Sequence, residues 1–362
     1  MVSIQKNLSS IKNRHTACPY VVMGNEAADL DSMVSAIAYA HLLTSQYPSL
    51  PALPLICISR SEFVLRREAL YLFQEAGIQL ADVVFLDEVD LDILLSDCRL
   101  ILVDHNRLTE MFIKFSDRVT GVIDHHRDEG FYHFAEPRII QTTGSTATLV
   151  AQEFRKCDIA IEQDMALLLA GTILLDTLNL DPASHKATDA DREVVAEILP
   201  KCPITRSTLF EKLQLSRLDI AGFGTRDLLR RDYKEYQYGK SKCGIAVVPL
   251  ALSKWLERDV DIGSALEEFV QYRKLDLLLV MLVFNDPGFK RELVVFWHSL
   301  EGQKRLFAYL QGNDLEFSEC AAGLLDRLNS PALCCYSQGN SRVSRKGLAP
   351  LMAGFFESSD PG

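Results

Sequence analysis

Residues 100–126 read LILVDHNRLTEMFIKFSDRVTGVIDHH. Two short apolar runs, 100–103 and 119–123, each close on a cluster of acid and imidazole: Asp104-His105-Asn106 and Asp124-His125-His126. Runs this short, rich in Val, Ile and Leu, read as strands buried on both faces, as a parallel sheet requires. The same grammar recurs upstream. Tyr20–Met23, 55–58 and 83–86 are further apolar runs, and helical apolar spacing separates them at 32–43 and 62–76. Strand and helix in alternation predict an α/β fold, a doubly wound and mainly parallel sheet with helices on both faces. In such sheets chemistry gathers at the carboxyl ends of the strands, where both clusters fall.

Downstream, residues 163–176 (QDMALLLAGTILLD) have the length and composition of a buried helix, followed by a loop through Asn179, Asp181 and Pro182. From 190 to 217 the sequence turns charged and helical, the character of a connector. The second half offers strands at 244–250, 275–284, 293–297 and 334–337, with helices near 264–274, 316–328 and 347–356. This predicts a catalytic domain over 1–195, a helical connector over 196–217, and a smaller α/β domain over 218–362.

Further acids stand where those two clusters stand. Gly24-Asn25-Glu26-Ala27-Ala28-Asp29-Leu30-Asp31-Ser32 follows the run YVVM, and Asp176 ends the apolar helix. One Asp before a helix is a common N-cap, and one Asp-His pair is usually structural. Recurrence at successive strand ends is different. Carboxylates brought into one crevice repel each other and lose hydration, so a cation has to compensate. Oxygen ligands with one or two imidazoles suit Mg²⁺, Mn²⁺ or a similar ion rather than a soft thiophile.

The order and content of these motifs resemble the DHH phosphoesterase superfamily. Within it they look most like the branch of fungal cytosolic exopolyphosphatases and animal prune proteins, with family II inorganic pyrophosphatases as cousins. GNEAADLDS (24–32), LVDHN (102–106), VIDHH (122–126) and GTILLDTLNLD (171–181) resemble the four catalytic motifs. QTTGSTATLV (141–150) is similar to the segment that follows DHH. LLRRDYK (228–234) and GNSRVSRKGLAPLM (339–352) resemble the C-terminal DHHA2 domain, so the likeness covers about residues 20–357.

That resemblance implies a site. Asn25, Asp29, Asp31, Asp104, His125 and Asp176 would hold two divalent ions, Mg²⁺ or Mn²⁺ with Co²⁺ as a further option, and Asp104 would bridge them. His126 would face the substrate phosphate, with Asp124 orienting from behind. Ser145, Arg230, Lys234, Arg345 and Lys346 join His126 as implied substrate-binding residues, and His126, Asp104, Arg345 and Lys346 form the implied catalytic set. Arg offers phosphate a bidentate fork and Lys a point charge. Arg226, Arg230 and Lys234 recur every four residues, so a helix would align them on one face, along an anionic chain or simply in water. Gly144, Ser145 and Thr146 would offer amides and hydroxyls to an anion, or simply cap a helix.

One departure bears on substrate. Asn25 stands where the pyrophosphatases carry His, as it does in the exopolyphosphatase and prune branch. A neutral amide oxygen is a poorer donor to transition metals, so one site should bind more weakly and accept Mg²⁺ more readily. The intact His126 resembles the fungal exopolyphosphatases more than prune, which typically has Arg there.

The implied activity is hydrolysis of phosphoanhydride bonds, releasing orthophosphate from the end of inorganic polyphosphate. The alternatives are a prune-like hydrolase of short-chain polyphosphate, nucleoside polyphosphates or cyclic nucleotides, then an inorganic pyrophosphatase, then a low-activity scaffold. A RecJ-like nuclease would carry a glycine-rich motif that is missing here. The 362 residues carry a net charge of −11, which argues against a nucleic-acid coat protein. No apolar run reaches the roughly 20 residues a membrane span needs. Nine scattered cysteines without a CxxC pair read as buried thiols in a reducing compartment and argue against thiolate zinc. The expected protein is therefore a cytoplasmic monomer whose partner is polyphosphate or another small polyanion, with no nucleic acid and no membrane.

Overall fold

The apolar runs of the first half become one sheet in the computed structural model, which describes residues 3–12, 19–313, 315–320, 328 and 330–358. Its strands are β1 (Tyr20–Met23), β2 (Ala52–Ile56), β3 (Val84–Phe85), β4 (Arg99–Val103), β5 (Val119–Asp124) and β6 (Arg138–Ile140). They lie in the order β3-β2-β1-β4-β5-β6, and every pairing is parallel. Successive side chains point to opposite faces, so each strand feeds two cores. Val22, Ile101, Val103 and Ile123 join the cluster built with the helices Leu30–Gln46, Thr146–Lys156 and Gln163–Asp176. Met23, Leu100, Leu102 and Val122 join another with Leu94, Phe112 and Phe115. The doubly wound expectation is borne out. Strand order reverses direction between β1 and β4, and the crevice beyond their carboxyl ends is where such sheets place their sites.

The helix Gln163–Asp176 is apolar all round, which only burial permits, and its residues from Met165 to Leu175 are all buried. Arg206–Leu218, at the end of the stretch read as a connector, packs Leu209 and Leu213 into the same core.

The chain divides into two compact units, Met1–Asp219 and Ile220–Gly362. The second holds β7 (Tyr233–Tyr238), β8 (Ser241–Val248), β9 (Leu277–Asn285), β10 (Phe289–Phe296), β11 (Phe317–Glu319) and β12 (Leu333–Gln338), in the order β11-β12-β10-β9-β8-β7. Only β8 and β9 run parallel; the other neighbours are antiparallel. Leu277, Leu279, Met281, Leu293 and Val295 face Leu306 and Leu310 of one helix and Leu348 and Met352 of another.

Three expectations need correction in this unit. The helix foreseen near 316–328 begins as strand β11, because Phe317 packs into the core and residues 317–319 pair with the edge of β12; residues 321–327 lie outside the described residues. The basic helix face is lost at Lys234: the helix Thr225–Arg231 stops before Asp232, and Lys234 sits on β7 opposite Ile245. Cys320 and Cys335 form a disulfide with Cα atoms 5.7 Å apart, where reduced thiols were expected. Neighbouring antiparallel strands bring them together, and their spacing in sequence does not announce it. Among the described residues, no helix is long and apolar enough to cross a membrane.

Candidate metal centre

The site begins where β1 ends. Gly24 is required there because a Cβ would lie 2.3 Å from Ser32 Oγ. That hydroxyl instead accepts the Asn25 amide at 2.6 Å. Asp29 caps the helix Leu30–Gln46 by accepting from Ser32 N at 3.1 Å. Two residues on, Asp31 is buried and serves a second helix start. Its Oδ1 accepts from Ser145 Oγ and Ala147 N, both at 2.8 Å, and its Oδ2 from Thr146 N at 2.6 Å. Burial nevertheless pushes its carboxyl up, against the opposing pull of His125.

Asp104 follows β4 in the left-handed region, at φ 64°, and is buried. Asn25 Nδ2 donates to its Oδ2 at 2.7 Å and to its carbonyl at 3.0 Å, and Thr146 Oγ1 donates to its Oδ1 at 3.1 Å. Burial, then the charges of Asp31, Asp29, Asp124 and Asp176, push this carboxyl well above the ordinary range. Asp176, at the end of its helix, is raised in the same way by burial and by Asp31 and Asp29. Its Oδ2 is buried with no hydrogen-bond partner.

The two imidazoles differ in role. His125 Nδ1 lies 2.9 Å from the Thr143 carbonyl, which can only accept, so Nδ1 carries the proton. Its Nε2 lone pair is thereby turned toward Asp104 Oδ1 at 3.5 Å and Asp31 Oδ2 at 3.9 Å. His126 Nδ1 bonds Asp124 Oδ1 at 2.8 Å, while the ring stays more than half exposed. That bond is the main cause lifting the His126 pKa above its ordinary value. Burial pushes the Asp124 carboxyl up, but bonds from the His126 ring and backbone and from Asn106 outweigh it and hold the group low. Ligand atoms of Asp104, His125 and His126 lie within 4.8 Å of one another.

These residues fit a divalent cation. Burial and neighbouring acids push Asp31, Asp104 and Asp176 up, and the pull of His125 on Asp31 and of Arg217 on Asp176 offsets this only in part. Asp176 keeps an orphaned carboxylate oxygen, and His125 presents a ring steered from behind, as metal-binding imidazoles are. The structure brings Asn25, Asp31, Asp104, His125, His126 and Asp176 together, and the charge of Asp29 acts on four of them. Two residues sit differently from expectation. Ser145 is fully buried and its hydroxyl is spent on Asp31. The Asn25 amide oxygen accepts from the amides of Ala27 and Ala28 at 2.9 and 3.1 Å, so the side chain points its NH₂, not its oxygen, at the centre. Thr143 carries a part of the site that no candidate named, while Thr146, read as an anion or capping group, holds Asp31 and Asp104, and Asn106, quoted beside Asp104, holds Asp124. The flanking Gly144 was the available signal for Thr143.

In the second unit, Ser344 stands at the N-cap position of the helix Arg345–Glu357 without a side-chain capping bond. Arg345 Nη1 holds Asp232 Oδ1 at 2.6 Å and its carbonyl at 3.0 Å, while Lys346 is exposed. The buried Gln338 amide donates to the carbonyls of Asn340 and Val343 at 2.6 and 2.9 Å, bracing the loop that leads to this pair. Arg230 lies 3.9 Å from Asp227, and Lys234 is exposed on β7.

Buried acids and steered imidazoles at the switch point of a parallel sheet fit the class of divalent-metal enzymes. The sequence pattern of the DHH family, N-terminal domain, matches residues 19–173, and that of the DHHA2 domain matches residues 211–355. The chain is 33% identical over 356 residues to the Rattus norvegicus protein named Exopolyphosphatase PRUNE1, covering 92% of this chain and 74% of that one. It is 33% identical over 349 residues to a Schizosaccharomyces pombe protein named as an exopolyphosphatase, covering 91% and 89%. A Manganese-dependent inorganic pyrophosphatase of Methanothrix thermoacetophila is 25% identical over 266 residues, covering 72% and 80%. A Methanococcus jannaschii crystal structure assigned to family II inorganic pyrophosphatases superposes with a TM-score of 0.57 at 20% identity, covering 93% and 99%, which shows the shared fold. The chain belongs to the DHH–DHHA2 family that includes the PRUNE1 exopolyphosphatases.

Proposed function

We propose that this chain hydrolyses phosphoanhydride bonds with divalent metal ions, releasing orthophosphate from the end of inorganic polyphosphate. The observation that carries this reading is the convergence of Asp31, Asp104, Asp176 and His125 at the carboxyl edge of the sheet, with Asp176 Oδ2 buried and unpartnered. The names of the relatives, exopolyphosphatases and manganese-dependent pyrophosphatases, support both the bond type and the metal dependence.

Asp29, Asp31, Asp104, His125 and Asp176 would hold two ions, with Mn²⁺ and Mg²⁺ both suited to oxygen and imidazole donors. Asn25 serves by fixing the Asp104 carboxylate through its NH₂. When bound, such ions acidify a water and neutralise charge on phosphoryl oxygens. The chain's own residues do the rest. Asn25 and Thr146 hold Asp104 rigid, and the Thr143 carbonyl fixes the tautomer of His125. His126, whose pKa the bond to Asp124 raises, would turn its exposed edge to the phosphate and donate a hydrogen bond to its oxygen. Arg345 and Lys346 supply charge to the polyanion, and Arg230 and Lys234 extend that role along a longer chain. Asn25 weighs against pyrophosphatase as the main activity, because its oxygen is already committed to two backbone amides.

Phosphate release should be measured on pyrophosphate, tripolyphosphate, long polyphosphate, nucleoside tetraphosphate and cyclic nucleotide, with Mn²⁺, with Mg²⁺ and with EDTA. Metal-dependent release, fastest on linear polyphosphate, is expected. Release that survives EDTA, or a clear preference for pyrophosphate, would overturn the reading.

A further inference from the structure

Asp191 is a fully buried carboxylate outside the acidic cluster, in the first turn of the helix Asp189–Ile198. Its Oδ2 accepts from Thr188 N and Thr188 Oγ1, both at 2.7 Å, and from Gly144 N at 2.8 Å; its Oδ1 accepts from Thr148 Oγ1 at 2.6 Å. Capping its own helix needs only the Thr188 pair. The bonds to Gly144 and Thr148 reach back 47 and 43 residues, to the loop and helix start that serve the metal centre.

That loop does several things at once. Just before Gly144, the Thr143 carbonyl sets the His125 ring; just after it, Ser145 and Thr146 hold Asp31, and Thr146 also holds Asp104. Gly144 has no room to move. A Cβ there would stand 2.4 Å from Thr177 Cγ2 and 2.8 Å from both Asp191 Oδ2 and the Lys186 carbonyl. Next to Asp191, Arg192 Nη1 donates at 2.9 Å to the carbonyl of Leu180. Leu180 closes a turn in which Leu178, Asn179 and Leu180 are all left-handed, directly after Asp176 and Thr177. Three such residues without glycine hold only when their surroundings over-determine them. One helix start therefore braces segments adjoining His125, Asp31, Asp104 and Asp176.

We propose that Asp191 is a positioning residue of the metal centre, acting through Gly144 on the loop that orients His125, Asp31 and Asp104. The proposal rests on the reading that those side chains hold the divalent ion. It is tested by titrating Mn²⁺ calorimetrically into the metal-free full-length protein and recording melting temperatures for the wild type and four variants. Asp191→Ala and Gly144→Ala should each weaken Mn²⁺ binding, roughly ten- to a hundred-fold, as loss of a group behind a metal ligand does. Thr188→Ala removes the helix cap but keeps the bond to Gly144; it should lower the melting temperature and leave Mn²⁺ affinity unchanged. Asp191→Asn keeps an oxygen for Gly144 and Thr188 and should restore most of the affinity. Wild-type Mn²⁺ affinity in folded Asp191→Ala overturns the proposal, as does an equal loss in Thr188→Ala, which would reduce Asp191 to a helix cap. Should Asp191→Ala fail to fold, unchanged binding by Gly144→Ala overturns it instead. No Mn²⁺ uptake by the wild type would remove the reading of the centre beneath it.

Discussion

Asp104 sits in a left-handed backbone conformation that Asn adopts readily, and burial already favours its neutral form. Asp104→Asn should therefore fold and, without metal, melt no lower than the wild type near pH 8. Its kcat should fall roughly 10³-fold or more, because several kcal/mol of charge stabilisation depends on that carboxylate. Phosphate release alongside a melting curve checks both; near-normal turnover would remove Asp104 from the centre. His126 makes a second prediction. Its raised pKa comes first from the bond to Asp124, so Asp124→Asn should lower it. If the cationic ring serves the phosphate, the alkaline limb of the pH–rate profile moves to lower pH in that variant. An unmoved limb would place another group there. The acids and imidazoles were legible in sequence because each ends an apolar run. The hydrogen bonds of Ser145 and Asn25 were not, since their partners Asp31 and Asp104 lie 114 and 79 residues away.

At the scale of elements, the strands that carry the site were readable for a physical reason. β1, β4 from Leu100 and β5 at Val122 and Ile123 are buried on both faces, so these stretches read as apolar runs. The short, half-exposed β6 and the mixed β7 carry no such pattern, and both escaped notice. Lys234 misled because a four-residue spacing of basic groups fits a helix, while the alternation in YKEYQY is that of a strand. The helix Arg345–Glu357 carries the clearest element-level prediction. Lys346 is exposed at its first turn, so Lys346→Ala should leave the melting temperature alone. If the lysine meets the polyanion, KM for polyphosphate should rise roughly tenfold or more, the worth of one charge-assisted hydrogen bond. Steady-state kinetics across chain lengths would show it, and an unchanged KM would move the substrate away from this helix.

Over the whole molecule, the raised acids make stability depend on pH with a definite sign. In the metal-free folded protein, Asp104 and Asp176 keep protons that the unfolded chain gives up above about pH 3.9. The folded state then binds more protons, so stability falls as pH rises through the folded-state pKa values. His126, also raised, adds the same sign above about pH 6.5. Divalent metal displaces those protons, and the rise in melting temperature that Mn²⁺ brings should grow from about pH 5.5 to about pH 8. A metal increment that shrinks with pH would contradict this linkage.

The most direct test of the centre is Mn²⁺ titration of the metal-free protein in buffers of different ionisation enthalpy, which counts the protons released on binding. Tight uptake with net proton release is expected, with both strongly reduced in Asp104→Asn and Asp176→Asn. No uptake, or uptake without proton release that is the same in both variants, would show that these acids are gathered for some purpose other than holding a cation.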